Sequence, residues 1–573
     1  MKLRAGTIKG IIAVLLIGMM LSQVACIRVN DLGEETAEPL DITSIVRPEL
    51  SPDNPVTITI WMSSSHPAPD SDNKISALLL ERLGVTIEFD IVHPDVMHRS
   101  IGPRLARGDF LDLMGIMDRE VRFLKGGSLI RLDDYLDTGL WPNLLEHVKP
   151  YRGRLTYHGD TVESGIYIIP NANRFYGDPI PTTHWGTAFW IQKSVLSYLG
   201  YPDLSNVTPE CFFDMIEEYM MSHPEINGKP TIGFTFPTLT VDGWDMANPP
   251  MYLQGSRNTG NVIIDDELNM QIYADSEYAR RYFEILNQAN ARGLLDENIF
   301  SQSFADYLEV LSGGNVLGMY DRRVAFRDAH DELVSSGQWE RTWVAIMPAF
   351  DNHQPNYAER PHLFPNQGFG ISTSAEKPEL LLTFLDTMLS EEWQIILSWG
   401  IEGEDFYVDE DGMFYRTPQQ RRNRADDDWR LENRLDALLE LLPKRQGRLS
   451  CGNAFLPGEQ QSEFWASLSV FDRAFLASYN KSNWQEFVNE IPENPSYHPV
   501  WWLDIGTCIE AHNARRELAR LTGEWVPLLV MSDPTDFDEL WEEYVAKIQA
   551  INIPVFLDAL HQALIEHVEV HGE

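Results

Sequence analysis

Between Val56 and Met117 the chain alternates strand, helix and strand at spacings short enough to dictate an α/β unit. "VTITIWMS" alternates β-branched residues with period two and runs into a serine-rich loop. "NKISALLLERLG" carries helical spacing and stops at Gly84, and "VTIEFDIV" is a second strand. "VMHRSIGPRLARGD" is a second helix, stopped at Gly108. "FLDLMGIM" is a nearly continuous apolar strand of the kind buried in a parallel sheet. Helices alternating with strands predict an α/β sheet. The same alternation returns with "PTIGFTF", "VLGMY" and "WVAIMPA", and from about Pro378 onward the pattern is mostly helical.

In open α/β sheets ligands bind beyond the carboxyl ends of strands. Here those ends read "WMSSSH", "MDRE", "FPTLTVDGWD" and "MYDRR", all polar and aromatic. That composition fits a cleft lined from two lobes. The 573 residues exceed one compact core, so two or three domains are expected. A formal net charge of -41 argues against a phosphate-backbone partner, and no nucleic acid is expected.

The amino end sets the expected location. Lys2, Arg4 and Lys9 precede the apolar run "GIIAVLLIGMML", which is shorter than a spanning helix requires, so it reads as a secretory signal. "VAC" resembles a bacterial lipoprotein box with Cys26 as the lipidated residue, although Gln23 stands where such boxes usually carry Leu. An ordinary cleaved signal is the alternative. The acidic, proline-containing stretch from Cys26 to Pro55 reads as a flexible tether. Cys211, Cys451 and Cys508 form no CxxC pair and cannot all pair with one another. They are expected as buried thiols, with one disulfide as the alternative.

An ordered series of stretches resembles the extracellular solute-binding proteins of bacterial ABC importers, above all the large oligosaccharide-capturing lipoproteins of Gram-positive bacteria. The series comprises "VTITIW", "LLLERLGVTIEFDIV", "RLARGDFLDLMGI", "GGSLIRLDDYLD", "TAFWIQKSVLSYLGYPDLSNVTPECFFDMIEEY", "ANARGLLDENIF", "LSGGNVLGMY", "WGIEGEDFYVDEDG" and "SDPTDFDELWEEYVAKIQAINI". Leu111 replaces a proline expected in the third. The resemblance implies a two-lobed, type 2 periplasmic-binding-protein-like α/β fold with a mostly helical C-terminal part. It implies no enzymatic chemistry, an oligosaccharide ligand, permease subunits as partners, and a lipid-anchored monomer on the extracellular face. On this reading residues 1–25 are the signal, 26–55 the tether, and 56–185 the first lobe with a return segment near 305–330. Residues 186–304 and 331–573 form the second lobe and the C-terminal helices.

Some members of that group hold Ca²⁺ in an EF-hand-like loop. The matching stretch "SHPEINGKPTIG" keeps Asn227, Gly228 and Lys229 but has His223, Glu225 and Thr231 where oxygen ligands would cluster. Calcium takes six or more oxygens, so neither Ca²⁺ nor another cofactor is expected.

A sugar presents an apolar ring face and many hydroxyls, and therefore needs aromatic platforms beside short polar groups. Candidates chosen by position are Trp61, Ser63, Ser64 and His66 after the first strand, and Asp118 and Arg119 after the third. Trp185 and Trp190 lie near the lobe crossing, and Trp244, Asp245, Asp321, Arg322 and Trp343 on later loops. Arg119 and Arg322 are the candidates to grip a uronate carboxylate bidentately, which would suit an acidic oligosaccharide. His567 and His571 sit at i, i+4 near the end of the chain and do not form HExxH. No G-x-S-x-G elbow, P-loop or dinucleotide fingerprint occurs. The alternatives to a transport receptor are a secreted carbohydrate-active enzyme and a receptor that presents ligand to a sensor kinase.

Overall fold

The computed structural model describes residues 44–571 apart from 65, 71, 118–119, 158–161, 174–180, 238–243, 257–259, 266, 352, 359–366, 491–499, 501–502, 504 and 507. The signal, Gln23, Cys26 and most of the tether lie outside these residues. Two larger sheets are built from β1 (Val56–Ser63), β2 (Val85–Val92), β3 (Leu113–Met117), β4 (Ile169–Pro170), β5 (Thr187–Gln192), β6 (Ile232–Thr235), β7 (Val316–Arg322), β8 (Trp343–Ile346) and β9 (Gln367–Ile371). The helices that matter most here are α1 (Lys74–Leu83), α2 (Pro209–Ser222), α3 (Glu277–Ala291), α4 (Pro378–Met388), α5 (Ile509–Met531), α6 (Phe537–Gln549) and α7 (Ile553–His571).

The first sheet has the order β2-β1-β3-β9-β4. β1 runs parallel to both β2 and β3, with Val56 opposite Val85 and Ile60 opposite Leu113, while β9 is antiparallel to β3 and β4. The local turn chemistry explains the tight β1–α1–β2 unit. Asn73 caps α1 by accepting from the Ile75 and Ser76 amides, and its amide group donates to the Leu431 and Arg434 carbonyls. Gly84 ends the helix at φ 67°, where a Cβ would stand 2.2 Å from the Ser51 carbonyl oxygen. Strand alternation divides the apolar residues between two faces. Ile58, Ile60 and Met62 join the leucines of α4, whereas Trp61 faces the opposite way with Ile116 and Phe123.

The second sheet has the order β6-β7-β5-β8, with β6 parallel to β7 and β5 antiparallel to β7 and β8. Its core continues into the C-terminal helices: Leu529 and Val530 of α5 and Trp541 and Tyr544 of α6 pack with Phe283 and Leu286 of α3. The Asn287 side chain ties α3 to the end of α5 by donating to the Leu529 and Ser532 carbonyls.

This pairing corrects the expected return segment. Residues 316–322 belong to the second sheet beside β5, and the chain returns to the first sheet at β9. The segment from α4 to Leu442 then packs in the first core. An apolar strand of seven residues fits either sheet by composition; hydrogen-bond pairing over more than a hundred residues decides between them. The stretch around Asn227 and Gly228 is a two-residue hairpin turn with φ of 54° and 74°. His223 stacks on Tyr219, and Thr231 donates to the His223 carbonyl. The thiols of Cys211, Cys451 and Cys508 are free, and the first two are exposed rather than buried as expected. Both stand outside the packed strands and helix faces that would have covered them. Among the described residues no single helix is long and apolar enough to cross a membrane.

Candidate functional site

The β5 segment "TAFWIQ" is buried along its whole length, so alternation sends its side chains to two different neighbours. Phe189 points into the core against Phe212, Phe234 and Tyr320. Trp190 points the other way, packs against Phe326 and His184, and donates its indole N–H to the Asp321 carbonyl at 2.8 Å. On β8 Ala345 lies opposite Trp190, which places Trp343 on the same face two residues away. Trp190, Trp343 and Ala345 form one wall of a cavity of about 810 Å³. The opposite wall comes from the stretch 416–472, with Arg416, Arg421, Arg424, Leu456, Glu463 and Asp472. Trp185, Trp339 and Trp484 complete an aromatic rim, and Trp185 and Trp339 remain 44% and 39% exposed.

Charged groups concentrate here in an otherwise acidic chain. Lys193 follows β5, and its Nζ lies 2.7 Å from Asp472 Oδ1 and 4.0 Å from the Trp484 ring centre. Burial pushes its pKa down, against the opposing pull of Asp472. Arg421 grips Glu463 with two hydrogen bonds of 3.0 and 2.7 Å. Arg424 and Arg430 share Asp436. Burial raises the Asp436 carboxyl, but these two arginines more than offset it and hold it at about 2. Arg416 lies over the Trp399 ring and donates to the Ser398 and Trp399 carbonyls. Arg323 follows β7, only 8% exposed, between the Trp185 and Phe326 rings. Burial pushes its guanidinium down to about 10. Burial together with the charges of Arg323 and Lys193 holds His330 well below the ordinary histidine range.

A second cavity of about 420 Å³ adjoins the first through Arg416, Arg424 and the turn Leu456–Gly458, and a third of about 410 Å³ adjoins the second through His66, Arg430, Arg434 and Asp436. They lead past Arg430, Arg434 and Asp436 to His66, at the carboxyl end of β1. A long trough thus runs from the second sheet to the edge of the first. Among the described residues no three His, Cys, Asp or Glu side chains gather to hold a metal ion.

The structure brings Trp185, Trp190 and Trp343 to the main cavity and His66 to the adjoining ones. The remaining expectations divide. Trp61 is fully buried on the other face of the first sheet, against Phe123 and beneath the Arg104 guanidinium, because alternation along β1 turns it away from α4. Ser63 and Ser64 are buried too; Ser64 Oγ accepts from the His66 amide and so shapes the loop that carries His66. Asp321 is buried and structural: it accepts from the Tyr307 hydroxyl at 2.8 Å and from the Arg322 amide. Arg322 is exposed and outside the cavity, one residue from Arg323, which lines it. Asp118 and Arg119 lie outside the described residues, as do the side chains of Trp244 and Asp245 in the short helix Trp244–Ala247.

Sequence reasoning missed Lys193, Arg323, His330, Trp339, Trp484 and the arginines of 416–434. A signal existed for the last group: "RTPQQRRNRADDDWRLENR" is the densest basic stretch of an acidic chain. No local pattern marks Trp339 or Trp484, and only the folded chain brings Trp484 beside Lys193.

No family model and no curated protein matches the chain in sequence. Solved structures do match in shape. The Streptococcus pneumoniae ABC-transporter substrate binding protein FusA, an EF-hand mutant in complex with fructo-nystose, is 14% identical with a TM-score of 0.60, covering 90% of this chain and 100% of that one. The HMO-binding, ABC-transporter associated solute binding protein of Bifidobacterium longum infantis is 14% identical with a TM-score of 0.59, covering 89% and 99%. The alginate-binding protein AlgQ2, without calcium ion, is 16% identical with a TM-score of 0.56, covering 90% and 100%. At such identities the likeness is one of fold, and this chain has the two-lobed, periplasmic-binding-protein-like α/β fold of these solute-binding proteins.

Proposed function

We propose that the protein is an extracytoplasmic solute-binding protein that captures an oligosaccharide and delivers it to the permease of an ABC importer. The observation that carries this reading is the trough itself. Trp185, Trp190, Trp339, Trp343 and Trp484 supply flat apolar faces. Three buried polar atoms with no hydrogen-bond partner among the described residues, Arg323 Nη1, His330 Nδ1 and Gln446 Oε1, belong to residues that line the same space. Buried polar atoms are ordinarily paired, so a set of both donors and acceptors left open in one cavity suits a hydroxyl-rich ligand. The size and the mix of aromatic faces with a few polar groups are those of a ligand site. The solved structures of like fold named as binding fructo-nystose, HMO and alginate support the ligand class.

On this reading the protein performs no catalysis and works as a monomer. Cys26 carries the lipid that holds it at the extracellular face of the membrane; the later part of the expected tether is packed instead, with Arg47 paired to Asp386 at 2.9 Å and Ile45 and Leu50 against the first core. Titration with oligosaccharide pools, followed by tryptophan fluorescence, is expected to give a saturable change without release of reducing sugar. A ligand that binds the folded state also raises the melting temperature by mass action. No response to any glycan pool, or turnover of one, overturns the reading. Mass spectrometry of the mature amino end tests the anchor separately: an unmodified residue there removes the lipid.

A further inference from the structure

Among the described residues, each cation of the main cavity but one has partners that account for its burial. Lys193 has Asp472, Arg421 has Glu463, Arg424 has Asp436, and Arg416 has two backbone carbonyls. Arg323 is the exception. Among the described residues its buried Nη1 has no hydrogen-bond partner, and no carboxylate lies within ion-pair distance of its guanidinium. The side chain cannot reach water easily, because Trp185 and Phe326 flank it at 5.9 and 5.2 Å. Asp331 acts on it only through space, and Arg327 opposes. Proteins pair the charges they bury, since an isolated charge in a low-dielectric site is costly.

We infer that the cavity is built for an anionic oligosaccharide, whose carboxylate or sulfate group docks on Arg323 while the sugar ring lies on Trp185. This inference rests on the oligosaccharide-binding reading and narrows its ligand class. The guanidinium fork matches the paired oxygens of a carboxylate or sulfate in two parallel hydrogen bonds. A neutral sugar offers hydroxyl acceptors but leaves the charge uncompensated. Trp185, adjacent to the guanidinium and 44% exposed, supplies the apolar face beside it. The position expected to grip an acid from sequence, Arg322, faces outward; its neighbour holds the inward place.

The test compares an oligouronate, the same oligomer with its carboxyl groups reduced to alcohols, and a sulfated oligosaccharide. Each is titrated into the full chain and into Arg323→Gln and Arg323→Lys. Wild type is expected to bind at least one acidic oligomer about 10- to 100-fold more tightly than the reduced one, as one charge-assisted hydrogen-bonded contact dictates. Arg323→Gln is expected to erase most of that ratio by weakening the acidic oligomer far more than the neutral one, and Arg323→Lys to retain part of it. Which acid wins separates carboxylate from sulfate. Equal binding of charged and reduced oligomers by wild type, or an unchanged ratio in Arg323→Gln, overturns the inference and leaves oligosaccharide binding standing. Failure of every oligomer to bind wild type overturns both. The wild-type ratio decides the matter even where a variant fails to fold.

Discussion

The buried pair Lys193–Asp472 joins the second sheet to the helix Val470–Ser478, and its rupture has a calculable signature. Both side chains are nearly inaccessible, at 4% and 9%, with 2.7 Å between Nζ and Oδ1. Asp472→Asn preserves shape and the hydrogen bonds with Ser469, whose hydroxyl donates to Oδ2 and caps the helix. With its amide oxygen kept toward Ser469, it replaces the charged acceptor opposite Lys193 by a neutral NH2 that cannot accept from Nζ. Deleting one partner of a buried pair costs about 3–5 kcal/mol, because the other charge stays buried and uncompensated. The sign of the pH dependence follows from the lysine. Burial already lowers its pKa, and loss of Asp472, which raises it, lowers it further. A lysine whose folded pKa lies below its unfolded value stabilises the fold above the unfolded value and loses that contribution as pH falls toward the folded one. The variant is therefore expected to lose about 3–5 kcal/mol at pH 7 and to recover much of the deficit near pH 10. Chemical denaturation at both pH values, followed by circular dichroism, measures it, and Lys193→Met/Asp472→Leu is expected to restore most of the pH 7 stability. A deficit below about 1 kcal/mol at pH 7, or one that persists unchanged at pH 10, refutes the reasoning.

Other outcomes follow from single residues. His147 is fully buried with Nε2 2.8 Å from the Pro170 carbonyl, and burial lowers its pKa to about 4. Its contribution is present above the unfolded value and lost as pH falls from about 6.5 to about 4, up to about 3 kcal/mol. His147→Gln is expected to flatten that part of the stability profile relative to wild type, and parallel profiles would contradict the assignment. Asn73→Ala removes a buried cap and the two hydrogen bonds to Leu431 and Arg434. It is expected to cost about 2–4 kcal/mol in denaturation midpoints, against a few tenths for an exposed cap with a good replacement. Trp185→Ala and Trp339→Ala should each weaken oligosaccharide binding about 3- to 10-fold with little change in melting temperature, since both rings are half exposed. A large melting shift would show that they serve packing instead.

How much of this was legible in the chain varies with the range of the interaction. β1, β2 and β3, the helices between them and the stops at Gly84 and Gly108 are local, written in period and punctuation, and the parallel sheet follows from them. The aromatic strand "TAFWIQ" pointed to Trp190, and the loop positions to Trp185 and His66, all of which line the cavities. Failure came wherever one residue of register mattered. Trp61 is buried against Phe123, and Arg322 faces water while Arg323 lines the cavity. Period-two geometry makes neighbouring residues opposite in fate, and the sequence does not say which face will be covered.

By itself, then, the sequence determined the α/β class, the short strand–helix units and the acidic surface, because these depend on contacts within a few turns of chain. Only the tertiary structure assigned β7 to the second sheet and β9 to the first, through pairings across more than a hundred residues. That same return of the chain carries the arginines of 416–434 opposite the tryptophans of β5 and β8. The trough exists because segments remote in sequence bury their apolar faces on two separate sheets, leaving the charged residues between them to face one another.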